Sequence, residues 1–197
     1  MAKKLKILAA ADLHGDFDIA KKLSEKAKRN KVDLVILAGD ISGYELENGK
    51  ILEPFVKQKQ RIAFVPGNWD TEREHNLLKT IAKSLHNYYI TYNEVGIAGI
   101  GNPDWKVIES EDLQILKNNF KKMKPKKRIL VSHWHARGTK AEFSGIEGDE
   151  YLRRIVEEVK PDILISGHIH EAEGIEDKIG KTRVIQVGRK GTIIEIE

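Results

Sequence analysis

Five apolar runs in this chain each finish in residues able to hold a metal ion. LKILAAA ends in Asp12-Leu13-His14, VDLVILA in Gly39-Asp40, and RIAFV in Pro66-Gly67-Asn68-Trp69-Asp70. RILVS ends in His133-Trp134-His135 and DILIS in Gly167-His168-Ile169-His170. Five of the seven histidines fall in these loops, leaving His75 and His86 elsewhere. Taken singly, a D-x-H or G-D after a strand is more often a helix cap or a satisfied turn. Parallel strands, however, bring their carboxyl ends to one edge of a sheet, where α/β proteins gather ligands. Two Asp, one Asn and several His collected there would be costly to desolvate without a cation.

The donor types narrow the metal. Imidazole, carboxylate and an amide oxygen suit Mn, Fe, Zn, Co or Ni better than a calcium site built from oxygen alone. Asp12, His14, Asp40, Asn68, His133, His168 and His170 are too many for one ion with an open position. They suffice for two divalent transition metal ions sharing a carboxylate, about 3.5–4 Å apart, which activate a bridging water for in-line attack on a phosphoryl group. In D-x-H and H-x-H, residues two apart project to the same side of extended backbone, so each motif can supply two ligands.

Those loops have to be positioned by the elements between them. Hydrophobic periodicity predicts strands at Lys6–Ala11, Val32–Ala38, Arg61–Val65, Arg128–Ser132 and Ile163–Ser166. It predicts helices at Phe17–Lys28, Thr71–Leu85, Ser110–Met123 and Asp149–Val159. Tyr88–Thr91 and Val95–Ile100 read as a strand pair around a turn containing Asn93; Arg183–Val187 and Thr192–Ile196 read as strands joined by the turn Gly188–Gly191. Strand and helix alternate, which means an α/β protein with a mostly parallel sheet, and the late short strands add antiparallel pairing in a mixed sheet or two sheets. The longest expected loop is Trp134–Gly148, a length that usually marks function. No linker divides the chain, so residues 1–197 read as one domain.

Composition bounds the remaining classes. The chain has 197 residues, 40% of them hydrophobic and 32% charged, an ordinary mix for a globular protein. It contains no cysteine, which excludes disulfides and thiolate metal sites. No apolar run reaches membrane-spanning length, and the basic start runs straight into Asp12 and His14, reading as a first strand rather than a signal peptide. A cytoplasmic location fits. The net charge of +4, from 34 basic and 30 acidic residues, is too small for a nucleic-acid patch and reads as solvated surface. Oligomeric state is not legible.

The series D-x-H, G-D, G-N-x-D, H-x-H and G-H-x-H, in that order, resembles the calcineurin-like metallophosphoesterases from Lys6 to about Ile196. Arg137-Gly138-Thr139-Lys140 and Gly180-Lys181-Thr182-Arg183 are similar to the small prokaryotic and archaeal Icc-like branch. The resemblance implies a four-layer α/β/β/α sandwich with two mixed central sheets. It implies that Asp12, His14 and His170 hold one metal, that Asn68, His133 and His168 hold the other, and that Asp40 bridges. It implies hydrolysis of a small phosphate ester.

Two positions depart from the family pattern. Where family phosphomonoesterases carry G-N-H-[DE], this chain has Trp69. An indole N–H donates a hydrogen bond but transfers no proton near neutral pH, so substrates with good leaving groups, aryl esters or activated diesters, are expected. Some family members with cysteine there are associated with phosphodiester hydrolysis. The second departure is Gln186-Val187-Gly188 in place of Asn-Pro-Gly, which implies a changed turn.

Individual residues carry competing readings. His135 is a ligand in place of His133, a substitute general acid, or an exposed loop residue; the working assignment puts His133 on metal and His135 on substrate, with Asp40, Asn68 and His135 as the catalytic set. Asp70 either supports a ligand histidine or caps the helix after it. Trp69, Trp105 and Trp134 either pack the loop bases or form an aromatic wall for a nucleobase, which would make the substrate a nucleotide. Arg137 and Lys140 are candidate phosphate contacts, and His75 and His86 read as surface. The alternative function is a weakly or non-catalytic binding scaffold on the same fold, with a DNA-processing nuclease as a third reading.

Overall fold

The computed structural model describes residues 4–43, 50–125 and 127–196; positions 1–3, 44–49, 126 and 197 of the expected 1–197 domain lie outside the described residues. Its strands are β1 (Leu5–Ala10), β2 (Leu34–Ala38), β3 (Ile62–Val65), β4 (Lys83–Ser84), β5 (Tyr88–Tyr92) and β6 (Val95–Ile100). They continue with β7 (Lys127–Ser132), β8 (Ile163–Ser166), β9 (Glu176–Ile179), β10 (Thr182–Gln186) and β11 (Thr192–Ile196). The helices are α1 (Phe17–Arg29), α2 (Glu53–Lys57), α3 (Glu72–Leu78), α4 (Ser110–Lys122) and α5 (Glu150–Val159).

Alternation along the strands fixes the layering. In β1, Leu5, Ile7 and Ala9 face one apolar layer while Leu8 and Ala10 face another, the period of two expected of a strand buried on both sides. One sheet runs β11-β1-β2-β3-β4 and the other β5-β6-β7-β8-β10-β9. Their facing surfaces share one core, with Ile7, Ile36 and Val65 from the first and Ile97, Val131 and Ile165 from the second. Outside the first sheet, Ala20, Leu23 and Ala27 of α1 and Phe55 of α2 pack on Leu8, Val35 and Leu37. Outside the second, Leu116 and Phe120 of α4 and Leu152, Ile155 and Val156 of α5 pack on Leu130 and Leu164. The layers are therefore α/β/β/α with two mixed sheets, as the sequence resemblance implied. Truncating one central side chain such as Ile36, fully buried, would cost about 2–5 kcal/mol.

Both sheets hold a parallel centre. β1, β2 and β3 pair in parallel, as do β6, β7 and β8, while β11 and β5 close edges antiparallel. The β5–β6 hairpin turns through Asn93 and Glu94, both at positive φ (45° and 62°), the conformation of a two-residue primed turn.

Two expectations are corrected. The helix expected over Thr71–Leu85 ends at Leu78, and Lys83–Ser84 joins the sheet beside Ala63–Phe64. The apolar residues of that stretch fit either period, and pairing to the open edge of β3 decides it. His75 and His86 are not surface residues. His75 is buried, its Nε2 2.9 Å from Ser84 Oγ, and the Gly101 N–H donates to His86 Nδ1 at 3.0 Å. Burial pushes both imidazoles down, His75 to about 4 with His86 and Lys79 adding to it, and His86 against the opposing pull of Asp112 and Glu72. Within the expected loop Trp134–Gly148, Lys140–Ser144 forms a tight helical turn.

Candidate metal centre

All five motif loops leave parallel strands at the same edge of the two sheets, and they meet because the motif glycines let backbones touch. A Cβ at Gly39 would collide with the His133 ring, and one at Gly67 with the carboxylate and amide of Asp40. Only glycine permits both approaches. At the tips the chain turns sharply: Asp12, His14, Asp40 and His168 all sit at positive φ, between 47° and 73°. Such conformations cost about 1–3 kcal/mol each in non-glycine residues and collect at functional sites.

The turned side chains form two groups. Asp12, His14 and His170 present donor atoms within 4.8 Å of one another, and so do Asp40, His133 and His168. Asn68 joins the second group, its Oδ1 2.9 Å from His133 Nε2. Asp40 reaches both. Its Oδ1 accepts the Trp69 N–H at 2.9 Å, while Oδ2 lies 3.3 Å from His133 Nε2 and 3.7 Å from His14 Nε2. Asp12 ties the groups together from the other side, accepting the His168 N–H at 3.2 Å.

Hydrogen bonds around the site settle which ring nitrogens face inward. A carbonyl can only accept, so His133 Nδ1 carries the proton that bonds Ala38 O at 2.8 Å, leaving Nε2 directed toward Asp40 and Asn68. This is the outer support that metal-binding imidazoles ordinarily have. His14 and His170 aim Nε2 at Nε2 across 3.4 Å, with Asp12 Oδ1 3.6 Å from the latter. Two imidazole nitrogens and a carboxylate converging on one point fit a divalent cation. Burial disfavours the charged Asp40, yet the His133 pairing and the Trp69 N–H hold its carboxyl below the usual range. Burial opposes a charged His133 as well, but Asp40 overrides it and raises the imidazole to about 9. At His168, burial and the neighbouring His133 outweigh Asp40 and Asp12 and lower the imidazole to about 4.

His135 lies outside both groups. It is buried, not exposed on a loop, with Nε2 3.3 Å from Ile146 O and its ring stacked 6.3 Å from His168. Burial holds it below the ordinary histidine value. Asp70 does neither of the things expected of it. Its buried carboxylate accepts N–H groups of Gly67 (2.8 Å), Ile41 (3.0 Å) and Ser42 (2.8 Å), pinning the loop after β3 to the loop after β2. Helix α3 is instead capped by Thr71 and Glu74. Burial raises the Asp70 carboxyl to about 6 despite those bonds. Arg137 pairs with Glu150 (3.4 Å), and Lys140 Nζ donates to Glu176 O (3.2 Å).

Around the centre stand the three tryptophans. Trp134 Nε1 donates to Asn68 Oδ1 at 3.0 Å, and Trp69 and Trp105 meet edge to face at 5.5 Å. Arg73 and Glu147, which line the cavities on either side, carried no sequence signal: nothing in a first-turn helix arginine or a loop glutamate separates it from ordinary surface.

The family model for calcineurin-like phosphoesterases matches residues 5–172. Among solved structures, TT1561 of Thermus thermophilus is similar, with TM-score 0.71 and 17% identity over 95% of this chain and 91% of that one. A dimetal phosphatase from Danio rerio aligns with TM-score 0.65 and 13% identity over 95% of this chain and 88% of its own. The purple acid phosphatase PPD1 of yellow lupin (Lupinus luteus) aligns with TM-score 0.63 and 13% identity, covering 97% of this chain and 45% of its own. No curated protein matches in sequence. Among the described residues, no helix is long and apolar enough to cross a membrane.

Proposed function

This chain belongs to the calcineurin-like phosphoesterase family and is a metal-dependent hydrolase of phosphoric esters; from that premise we propose that it cleaves phosphodiesters or activated aryl esters at a dinuclear centre. The observation that carries this reading is the position of Asp40, one of whose oxygens faces both His14 and His133. We assign Asp12, His14 and His170 to one ion, Asn68, His133 and His168 to the second, and Asp40 to both. Bound divalent ions supply an activated water and cancel charge on the phosphoryl oxygens. The chain's own residues do the rest. Asp40, anchored by the Trp69 N–H, sets the spacing between the two halves, and Trp134 holds the Asn68 oxygen in line with His133.

Trp69 decides the substrate preference. Its side chain offers no transferable proton, so the leaving oxygen must depart without the roughly 10²–10⁴-fold help a general acid gives. A nitrophenolate or similarly stable leaving group needs none. His135 lines the cavity beside His168 and is assigned to substrate contact. The substrate is a small phosphate ester, a nucleotide being the candidate that an aromatic wall would accept, and the ions are drawn from Mn, Fe, Zn, Co or Ni.

The test is a panel of aryl diesters and alkyl and aryl monoesters, run with the Mn- or Ni-loaded protein and with Asp40→Asn. Turnover of aryl esters that disappears in the variant supports the reading; preference for alkyl monoesters refutes it.

A further inference from the structure

Two cavities open beside the candidate centre, and one residue lines both. The first, about 470 Å³, is walled by Trp69, Trp105, Arg73 and Asn68. The second, about 440 Å³, is walled by Trp105, Trp134, His135, Glu147 and His168. Asn68 and His168 are both assigned to the second ion, so the two cavities flank the place where a phosphoryl group would sit. Trp105 stands between them.

The chain goes to some length to present that indole. Trp105 is 53% exposed and sits at φ 61°, after Asp104 at φ 53°. Two consecutive left-handed non-glycine residues are costly and persist only when their surroundings hold them. Here the Asp104 N–H donates to Asp70 O at 3.1 Å, Asp104 Oδ2 accepts the Glu72 N–H at 2.9 Å, and Asn102 Nδ2 donates to Lys106 O at 3.0 Å. The turn is therefore fastened to the start of α3, beside Trp69. The indole meets Trp69 edge to face at 5.5 Å and leaves its remaining surface open toward both cavities.

The two cavities differ in charge. Arg73, Glu74 and Asp104 line the first; the Glu74 and Asp104 carboxylates accept the Thr71 and Glu72 N–H groups, and Arg73 adds a guanidinium beside the indole pair, which suits a flat ring bearing polar oxygens. Glu147, Asp149 and Glu150 line the second, against which Arg137 supplies one positive charge, 3.9 Å from Glu147 and 3.4 Å from Glu150. That rim repels a second anion.

We infer that Trp105 is a specificity-determining residue that divides the mouth of the centre into two substituent pockets, selecting phosphodiesters that carry a flat group on the Trp69 side and an uncharged group on the Trp134 side. The inference rests on the phosphoesterase reading above. Hydrolysis adds water across one P–O bond, giving a phosphomonoester and an alcohol or phenol, so the monoester product fills only one pocket and is held less well than the diester.

The test compares two substrates with the same leaving group and charge, bis(para-nitrophenyl) phosphate and methyl para-nitrophenyl phosphate, on the Mn-loaded protein. Their intrinsic reactivity ratio is constant across variants, so a change in the ratio of kcat/KM reports the second pocket. Trp105→Ala should lower that ratio roughly three- to tenfold, mainly through KM, the range expected for losing aromatic contact. Trp105→Phe should keep most of it, and melting curves of both variants separate pocket loss from unfolding. A para-carboxyphenyl group in place of one nitrophenyl should reduce kcat/KM in the wild type, and Glu147→Gln should restore part of the loss. An unchanged ratio in Trp105→Ala, or equal losses on both diesters, overturns the inference and leaves the phosphoesterase reading standing. Absence of turnover on every ester overturns that reading too.

Discussion

Replacing His133 and His135 in turn separates ligand from neighbour. His133 is wholly buried, with Nε2 2.9 Å from Asn68 Oδ1 and 3.3 Å from Asp40 Oδ2. His133→Ala removes a donor atom from the second group and strips the Ala38 carbonyl of its N–H partner. Loss of an outer hydrogen bond to a ligand already weakens metal binding 10–100-fold. Loss of the donor itself should weaken it by at least about 100-fold, or roughly 2.7 kcal/mol. His135 belongs to neither cluster of donor atoms among the described residues and meets the centre through its ring contact with His168, 6.3 Å between centroids. His135→Ala should therefore change affinity by less than about tenfold, below roughly 1.4 kcal/mol. Competition against a chromogenic chelator, with Mn or Zn, measures both constants, and circular dichroism checks that each variant folds. If His135→Ala costs more affinity than His133→Ala, the assignment of the two residues is reversed and the proposed ligand geometry is wrong.

Three further outcomes follow from the same contacts. Trp69→His should restore a proton donor and raise turnover of alkyl monoesters at least about tenfold relative to aryl diesters, measured by phosphate release; no change would show that the wild type has another acid. Asp70→Asn turns one acceptor into a donor facing backbone N–H groups, so chemical denaturation should show a loss of about 2–4 kcal/mol, and a neutral result would contradict the pinning role. His75 is held neutral at a value of about 4 in the fold, against about 6.5 unfolded. Its folded value is depressed, so the stability it contributes is fully present above pH 6.5 and is lost as pH falls toward 4, of the order of 1–3 kcal/mol. His75→Phe should flatten that part of the pH–stability curve.

Much of this arrangement was legible in the chain itself. The strand tips were readable because each apolar run stops at a polar motif, and the joint pattern of Asp12, Asp40, Asn68 and the histidines has few other uses. The division into two sheets came from the resemblance, since period and length alone left one mixed sheet or two open. What stayed hidden depended on partners distant in sequence. The role of Asp70 is set by backbone groups of Ile41 and Ser42, which no local pattern reveals. The end of α3 depends on an edge of β3 that accepts Lys83–Ser84. His75 and His86 read as surface because a lone polar residue near a helix usually is, whereas contacts with Ser84 and Gly101 hold His75 buried and His86 half-buried. The exposure of Trp105 rests on two left-handed residues that sequence gives no reason to expect.

The central claim is that Asp40 joins two divalent ions in one centre. Metal analysis of the Mn-loaded protein after dialysis, read together with its electron paramagnetic resonance spectrum, tests it most directly. Two ions per chain with an exchange-coupled signal, reduced to isolated Mn signals in Asp40→Asn, is the predicted result. A single ion, or two uncoupled ions in the wild type, would contradict it.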